Sequence, residues 1–122
     1  MKPRPATKKT RLTRLVAGAL SLAARRTGWE PLRQGVDLLR LAGDGKAGPS
    51  VALLRYAPGA RVPHHRHHGF EVIYVLSGAQ SDERGTYEAG TLVVNHAGGH
   101  HNVWSDGGCL VLIVWERPIE FV

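Results

Sequence analysis

The sequence predicts a small all-β domain, an antiparallel sandwich or barrel, and three observations carry that expectation. Fifteen glycines and seven prolines among 122 residues imply many turns. The apolar residues come in short runs rich in Val, Ile, Leu and Tyr, each ended by Gly, Asp, Asn or Pro. None of the runs beyond residue 28 keeps a helical period for three turns.

The exception is the start of the chain. In "KKTRLTRLVAGALSLAARR" the apolar positions 12, 15, 16, 19, 20 and 23 share one helical face, while Arg11, Arg14, Ser21 and Arg25 fall largely on the other. Three readings stay open for this leader. It is a plain surface helix (or residues ahead of a later true start), a secretory signal, or an amphipathic anchor for anionic lipid. A signal would use the basic start, the apolar residues from Leu15 to Ala24 and the small residues Ser21 and Ala23. Against it stand a weakly hydrophobic core and Arg25-Arg26 directly after.

From Trp29 onward turn chemistry sets the rhythm. "GVDLLRLAG" ends in the turn cluster "DGKAGPS", and "VALLRYA" is closed by "PGA". A histidine-rich strand follows, then "FEVIYVLSG" leading to "SDERG". "TYEAG", "TLVVN", "HNVW" and "CLVLIVWERP" complete about eight strands. The expected organisation is therefore a basic extension over residues 1–28, helical or disordered, and one compact domain over residues 29–122. "GDGKAG" lacks the spacing of a phosphate loop.

The net charge of +6 divides unevenly. Residues 1–28 carry eight basic residues and no acid, whereas residues 29–122 carry eight basic and ten acidic residues, a net of −2. The body is mildly acidic, so no nucleic-acid partner is expected. The single cysteine, Cys109, excludes an internal disulfide and a thiolate metal cluster. It reads as a small buried residue at the start of the last strand rather than a redox sensor. A cytoplasmic location is expected, with export through the basic segment as the alternative. No apolar run reaches the length of a membrane span.

All seven histidines lie between positions 64 and 101, four of them in "HHRHH". Side chains two apart on a strand share a face, so His65 and His67 go together, and His64, Arg66 and His68 go together. A guanidinium does not belong among metal ligands, so Arg66 marks the outward set and His65 and His67 face in. Gly69 ends that strand. Beyond it, Glu71 shares a face with Ile73 and Val75, where a carboxylate is costly unless a cation compensates it. Two imidazoles and a carboxylate approach the facial set used for zinc or non-haem iron. His96, His100 and His101 are candidates for a further ligand, and local physics does not rank them. For His64, His68, His96 and His100 the plain reading is satisfied or exposed loop histidines. Trp104, Trp115, Phe70 and Tyr74 read as core or interface residues.

At these residues the sequence resembles the cupin superfamily. The first cupin motif runs from Gly59 through His65, His67 and Glu71 to Gly78 with every spacing met. The second starts at Gly90, has Gly98 in place and puts its histidine at His101; His96 stands where the motif has Pro, and Ser105 where it has Asn. The wider pattern over about residues 29–118 resembles the cupin domain of the ChrR-type anti-sigma factors. That resemblance implies a jelly-roll barrel and one divalent metal on His65, His67, Glu71 and His101. Zinc is the first choice, with iron, manganese or nickel as alternatives. ChrR-type proteins also carry an N-terminal zinc-containing helical domain that grips the sigma factor. Residues 1–28 hold no cysteine, so direct sigma-factor binding is not expected. A homodimer is expected, with Phe70, Val72 and Tyr74 as contacts, and a small-molecule ligand is conceivable.

Two functional readings follow. In the first the protein is a single-domain metal-binding cupin whose ion is structural or ligand-sensing. In the second it is a small iron-dependent dioxygenase acting on diketones or hydroxyacetophenones. The donors are the same in both, so coordination number and cavity size separate them.

Overall fold

The computed structural model describes residues 18–24 and 27–122 of the chain. A short 3-10 helix, Ala19–Ala24, precedes ten strands. These are β1 (Trp29–Arg33), β2 (Val36–Ala42), β3 (Ser50–Tyr56), β4 (Ala60–His67) and β5 (Glu71–Asp82). They continue with β6 (Gly85–Glu88), β7 (Leu92–Asn95), β8 (His100–Ser105), β9 (Cys109–Trp115) and β10 (Ile119–Phe121). Apart from residues 18–24, 27 and 28, the helical and targeting readings of the leader lie outside the described residues.

Every strand pairing is antiparallel, and the strands form two sheets that share β5. The first sheet runs β1-β2-β3-β9-β5-β7, and the second runs β10-β4-β8-β5-β6. Residues 71–78 of β5 pair with β7 and β9, and residues 79–82 pair with β6 and β8. The strand turns the corner at Gly78, next to a register shift between Val75 and Ser77. Gly78 has φ of 71°, and a Cβ there would run into the Gly108 carbonyl oxygen, so this position needs glycine. The result is the all-β jelly-roll barrel that the sequence predicts.

Among the described residues ten strands replace the expected eight or so. β1 carries Pro31, and a proline is tolerated there because β1 is an edge strand with no neighbour on one side. β10 has three residues, too few to show an alternation, and is held by pairing with β4 alone. β5 runs past Gly78 through Ser81 and Asp82, both buried, so the turn of "SDERG" is only Glu83-Arg84.

Inside the barrel, alternate residues of the strands form one core: Val36 and Leu38, Leu54 and Tyr56, Ile73 and Val75, Val111 and Ile113, closed by Trp115. Each large side chain so buried contributes about 1.5–3 kcal/mol. A second, smaller cluster, Leu39, Leu53 and Leu110, lies on the opposite face of the first sheet. Leu22 and Ala23 of the 3-10 helix pack over it, and Arg55 Nη1 donates to the Ala23 carbonyl at 2.6 Å. Further along β5 and β7, Tyr74, Leu92 and Val94 stay exposed.

Candidate metal centre

The site assembles where β4, β8 and the start of β5 meet. Val62 and His65 both face the barrel interior although they are three residues apart. A register shift between them, at Pro63-His64, changes which residues of β4 point inward. Past that bulge His65 and His67 are buried, Arg66 and His68 are exposed, and His64 is half-buried. His65 lies directly across from His101 on β8, which brings the third imidazole in; His100 and His96 are exposed. After the Gly69 turn, Glu71 begins β5 on the inward face and is 2 % exposed.

The three rings converge. Their centroids are 5.1 Å (His65–His67), 4.6 Å (His65–His101) and 4.8 Å (His67–His101) apart, and one nitrogen from each lies within 4.8 Å of the others. Glu71 Oε1 sits 3.3 Å from His67 Nε2 and 3.8 Å from His101 Nε2. Yet neither of those nitrogens, nor His67 Nδ1, makes an aligned hydrogen bond. Buried, unpartnered nitrogens around one carboxylate oxygen fit a divalent cation, and three nitrogens with one oxygen is a donor set for zinc or iron.

Neighbouring groups orient the donors. His65 Nδ1 is 3.0 Å from the Pro63 carbonyl oxygen, which takes its N–H and leaves Nε2 as the bare nitrogen. Burial, joined by the two neighbouring imidazoles, pushes the His65 pKa down and so keeps the ring neutral, against the Pro63 carbonyl and Glu71. His101 Nδ1 lies 3.3 Å from Asp82 Oδ2, and Asp82 in turn accepts from the Tyr87 hydroxyl at 2.8 Å and the Arg84 amide at 2.9 Å. Asn95 Nδ2 donates to Glu71 Oε1 at 3.0 Å, and Trp115 Nε1 donates to Oε2 at 2.5 Å. Burial alone would raise the Glu71 pKa; His67, Trp115 and His101 outweigh it and hold the carboxyl below its ordinary range, as an anion.

Asp82, Asn95 and Trp115 escaped the sequence reading as site residues. Asn95 carried a signal: it is a polar residue sharing the inward face of β7 with Val93. Asp82 carried none, because "SDERG" reads as a turn. Ser105, at the second motif's Asn position, is fully buried and donates to the Ala79 carbonyl at 2.6 Å. Cys109 is buried, and burial pushes its thiol up to about 11, as expected of an inert core cysteine.

The cavity beside the donors is small. It is lined by His65, Glu71, Tyr56, Gln80 and apolar side chains, and its volume of about 10 Å³ is room for the centre of one water molecule. Gln80 Nε2 donates to the Tyr56 hydroxyl at 3.3 Å across it.

Comparison with known proteins gives a consistent picture. The family model of the ChrR cupin-like domain matches residues 18–119. The anti-sigma-E factor ChrR of Cereibacter sphaeroides is 32% identical over 96 residues, covering 76% of this chain and 44% of that protein. The chain thus spans less than half the length of that relative. The crystal structure of Rhodobacter sphaeroides SigE in complex with the anti-sigma ChrR matches with TM-score 0.66 at 28% identity, over 75% of this chain and 50% of that chain. An acetylacetone dioxygenase from Acinetobacter johnsonii matches with TM-score 0.73 at 13% identity, over 100% of this chain and 85% of that one, which is a likeness of fold. Among the described residues no helix is long and apolar enough to cross a membrane.

Proposed function

The chain belongs to the ChrR cupin-like domain family, and on that premise we propose that it is a metal-binding cupin whose ion closes the barrel and does not turn over a substrate. His65, His67, Glu71 and His101 are the proposed ligands, and zinc is the proposed ion. When bound, such an ion supplies a positive charge that offsets the buried carboxylate and links β4, β5 and β8. Pro63 and Asp82 hold two of the rings with Nε2 free, while Asn95 and Trp115 hold the carboxylate.

The observation that carries this reading is the mismatch between donors and space. Three imidazole nitrogens lie within 4.8 Å of one another, Glu71 Oε1 lies beside two of them, and the adjoining cavity takes about one water. A diketone dioxygenase needs open coordination positions and room for its substrate. The iron-dioxygenase alternative therefore asks for a rearrangement of the barrel interior.

Metal analysis of untagged protein should find about one divalent ion per chain, since all four ligands are present. The cobalt-substituted protein should show the intense visible bands of four-coordinate cobalt. Iron-loaded protein should consume no O₂ with a diketone. A weak cobalt spectrum that changes when a diketone is added would turn the assignment to the enzyme.

Residues 29–122 are proposed as the cupin domain and residues 1–28 as its extension. We also propose a homodimer through the apolar outer face, where Phe70, Tyr74, Leu92 and Val94 are 41%, 39%, 60% and 48% exposed. A monomeric mass at micromolar concentration would remove it. Binding of a sigma factor is a property of the longer ChrR relative and is not proposed for this chain.

A further inference from the structure

Glu71 opens β5 with a hydrogen-bond donor directly across from it on each side. The register sets Asn95 of β7 opposite it on one edge and Trp115 of β9 opposite it on the other. All three residues are buried. This row divides the two carboxylate oxygens. Oε1 accepts from Asn95 Nδ2 at 3.0 Å and is the oxygen that approaches His67 Nε2 and His101 Nε2. Oε2 accepts from Trp115 Nε1 at 2.5 Å. An indole N–H can only donate, and Trp115 is packed into the core, so this bond fixes which oxygen turns away from the histidines. Asn95 is held there at a cost. With its amide nitrogen on Glu71, its buried Oδ1 has no hydrogen-bond partner. Reversing the amide would set its oxygen against the carboxylate. A position serving stability alone would take an apolar residue, as the neighbouring inward position Val93 does.

We infer that Asn95 and Trp115 make Glu71 a one-oxygen ligand, offering Oε1 and withholding Oε2, and so set the metal preference of the centre. With three imidazoles, a single carboxylate oxygen completes the four protein donors that zinc takes in a tetrahedron. Manganese, which suits an octahedron rich in oxygen, gains from the second carboxylate oxygen and is denied it. The inference rests on the metal-binding reading above and adds to it a reason for the choice of ion.

Competition titration of the full chain with Zn²⁺ and with Mn²⁺ against a chelator tests this, beside the visible spectrum of the cobalt-substituted protein. Trp115→Phe keeps the aromatic wall and removes the N–H, and Asn95→Leu removes the other donor at similar volume. In each variant the ratio of Zn²⁺ to Mn²⁺ affinity should fall about tenfold or more, and the cobalt bands should weaken as Oε2 joins the coordination. If Trp115→Phe melts without cooperativity, Asn95→Leu reads the same ratio. Donors that only compensate a buried charge predict a different result: weaker binding of both ions, with the ratio and the cobalt spectrum of the wild type. That result would overturn the inference and leave the metal-binding reading standing. A wild-type chain that binds neither ion would overturn both.

Discussion

Strands β4 and β8, with the residue just past β4, carry two sets of histidines that point in opposite directions. His65, His67 and His101 point into the barrel and meet one carboxylate. His64 and His100 lie on the outside, their ring centroids 4.6 Å apart, and His68 sits 3.3 Å from Glu120 on the surface. His64 and His100 stand on the same two strands as the inner set and have a similar ring spacing, while His68 lies just past the end of β4. The inner set is cut off from water, and its unpartnered nitrogens face a buried anion. The outer set can hydrogen-bond to solvent. Desolvation, not histidine content, makes one set a metal-site candidate.

The largest expected effect comes from breaking the inner set. Glu71→Ala or His67→Ala should take the metal content, read by atomic emission, from about one ion per chain to near zero. The melting temperature should fall by about 10 °C or more, since binding free energy is folding free energy here. Stripping the wild type with a chelator should lower it similarly. Retention of metal by Glu71→Ala would remove the carboxylate from the ligand set.

A smaller effect should follow from disturbing the support of that set. Asp82→Asn keeps the shape beside His101 but weakens the acceptor for Nδ1–H, and metal affinity in a competition titration should drop about 10–100-fold. An unchanged affinity would mean that packing alone orients His101.

Deleting residues 1–28 touches neither histidine set, so metal content should stay the same and the melt should stay cooperative. Stability should nevertheless fall by about 1–3 kcal/mol in urea, because Leu22 and Ala23 no longer cover Leu39, Leu53 and Leu110. A shortened chain with no cooperative transition would make those residues part of the domain.

The smallest effects belong to the outer set. His64→Ala and His100→Ala should leave metal content intact and change stability by less than about 0.5 kcal/mol. Metal loss in His64→Ala equal to that in His67→Ala would erase the distinction between the two sets.

Much of this was legible along the chain, and the limits have physical causes. The central strands were readable because β-branched and aliphatic runs ended at Gly, Asp and Pro. β1 and β10 were not: one contains Pro31, the other has three residues, and each is a strand only because a neighbour pairs with it. Asp82 looked like a turn residue, since its burial depends on β8 and β6 closing over the end of β5.

The sequence by itself determined the all-β class and the chemical identity of the candidate ligands, because these depend on side-chain type and short spacing. Strict alternation from Val62 would have pointed His64 inward, and only the Arg66 guanidinium argued otherwise. Tertiary structure decided the matter with the bulge at Pro63-His64, which arises in the pairing of β4 with β8. It also brings His101, which the cupin motif singled out and local physics did not, opposite His65 through the cross-strand register. The cavity of about 10 Å³ beside the donors is tertiary as well. Each depends on how closely residues far apart in the chain approach, and no local pattern carries that distance.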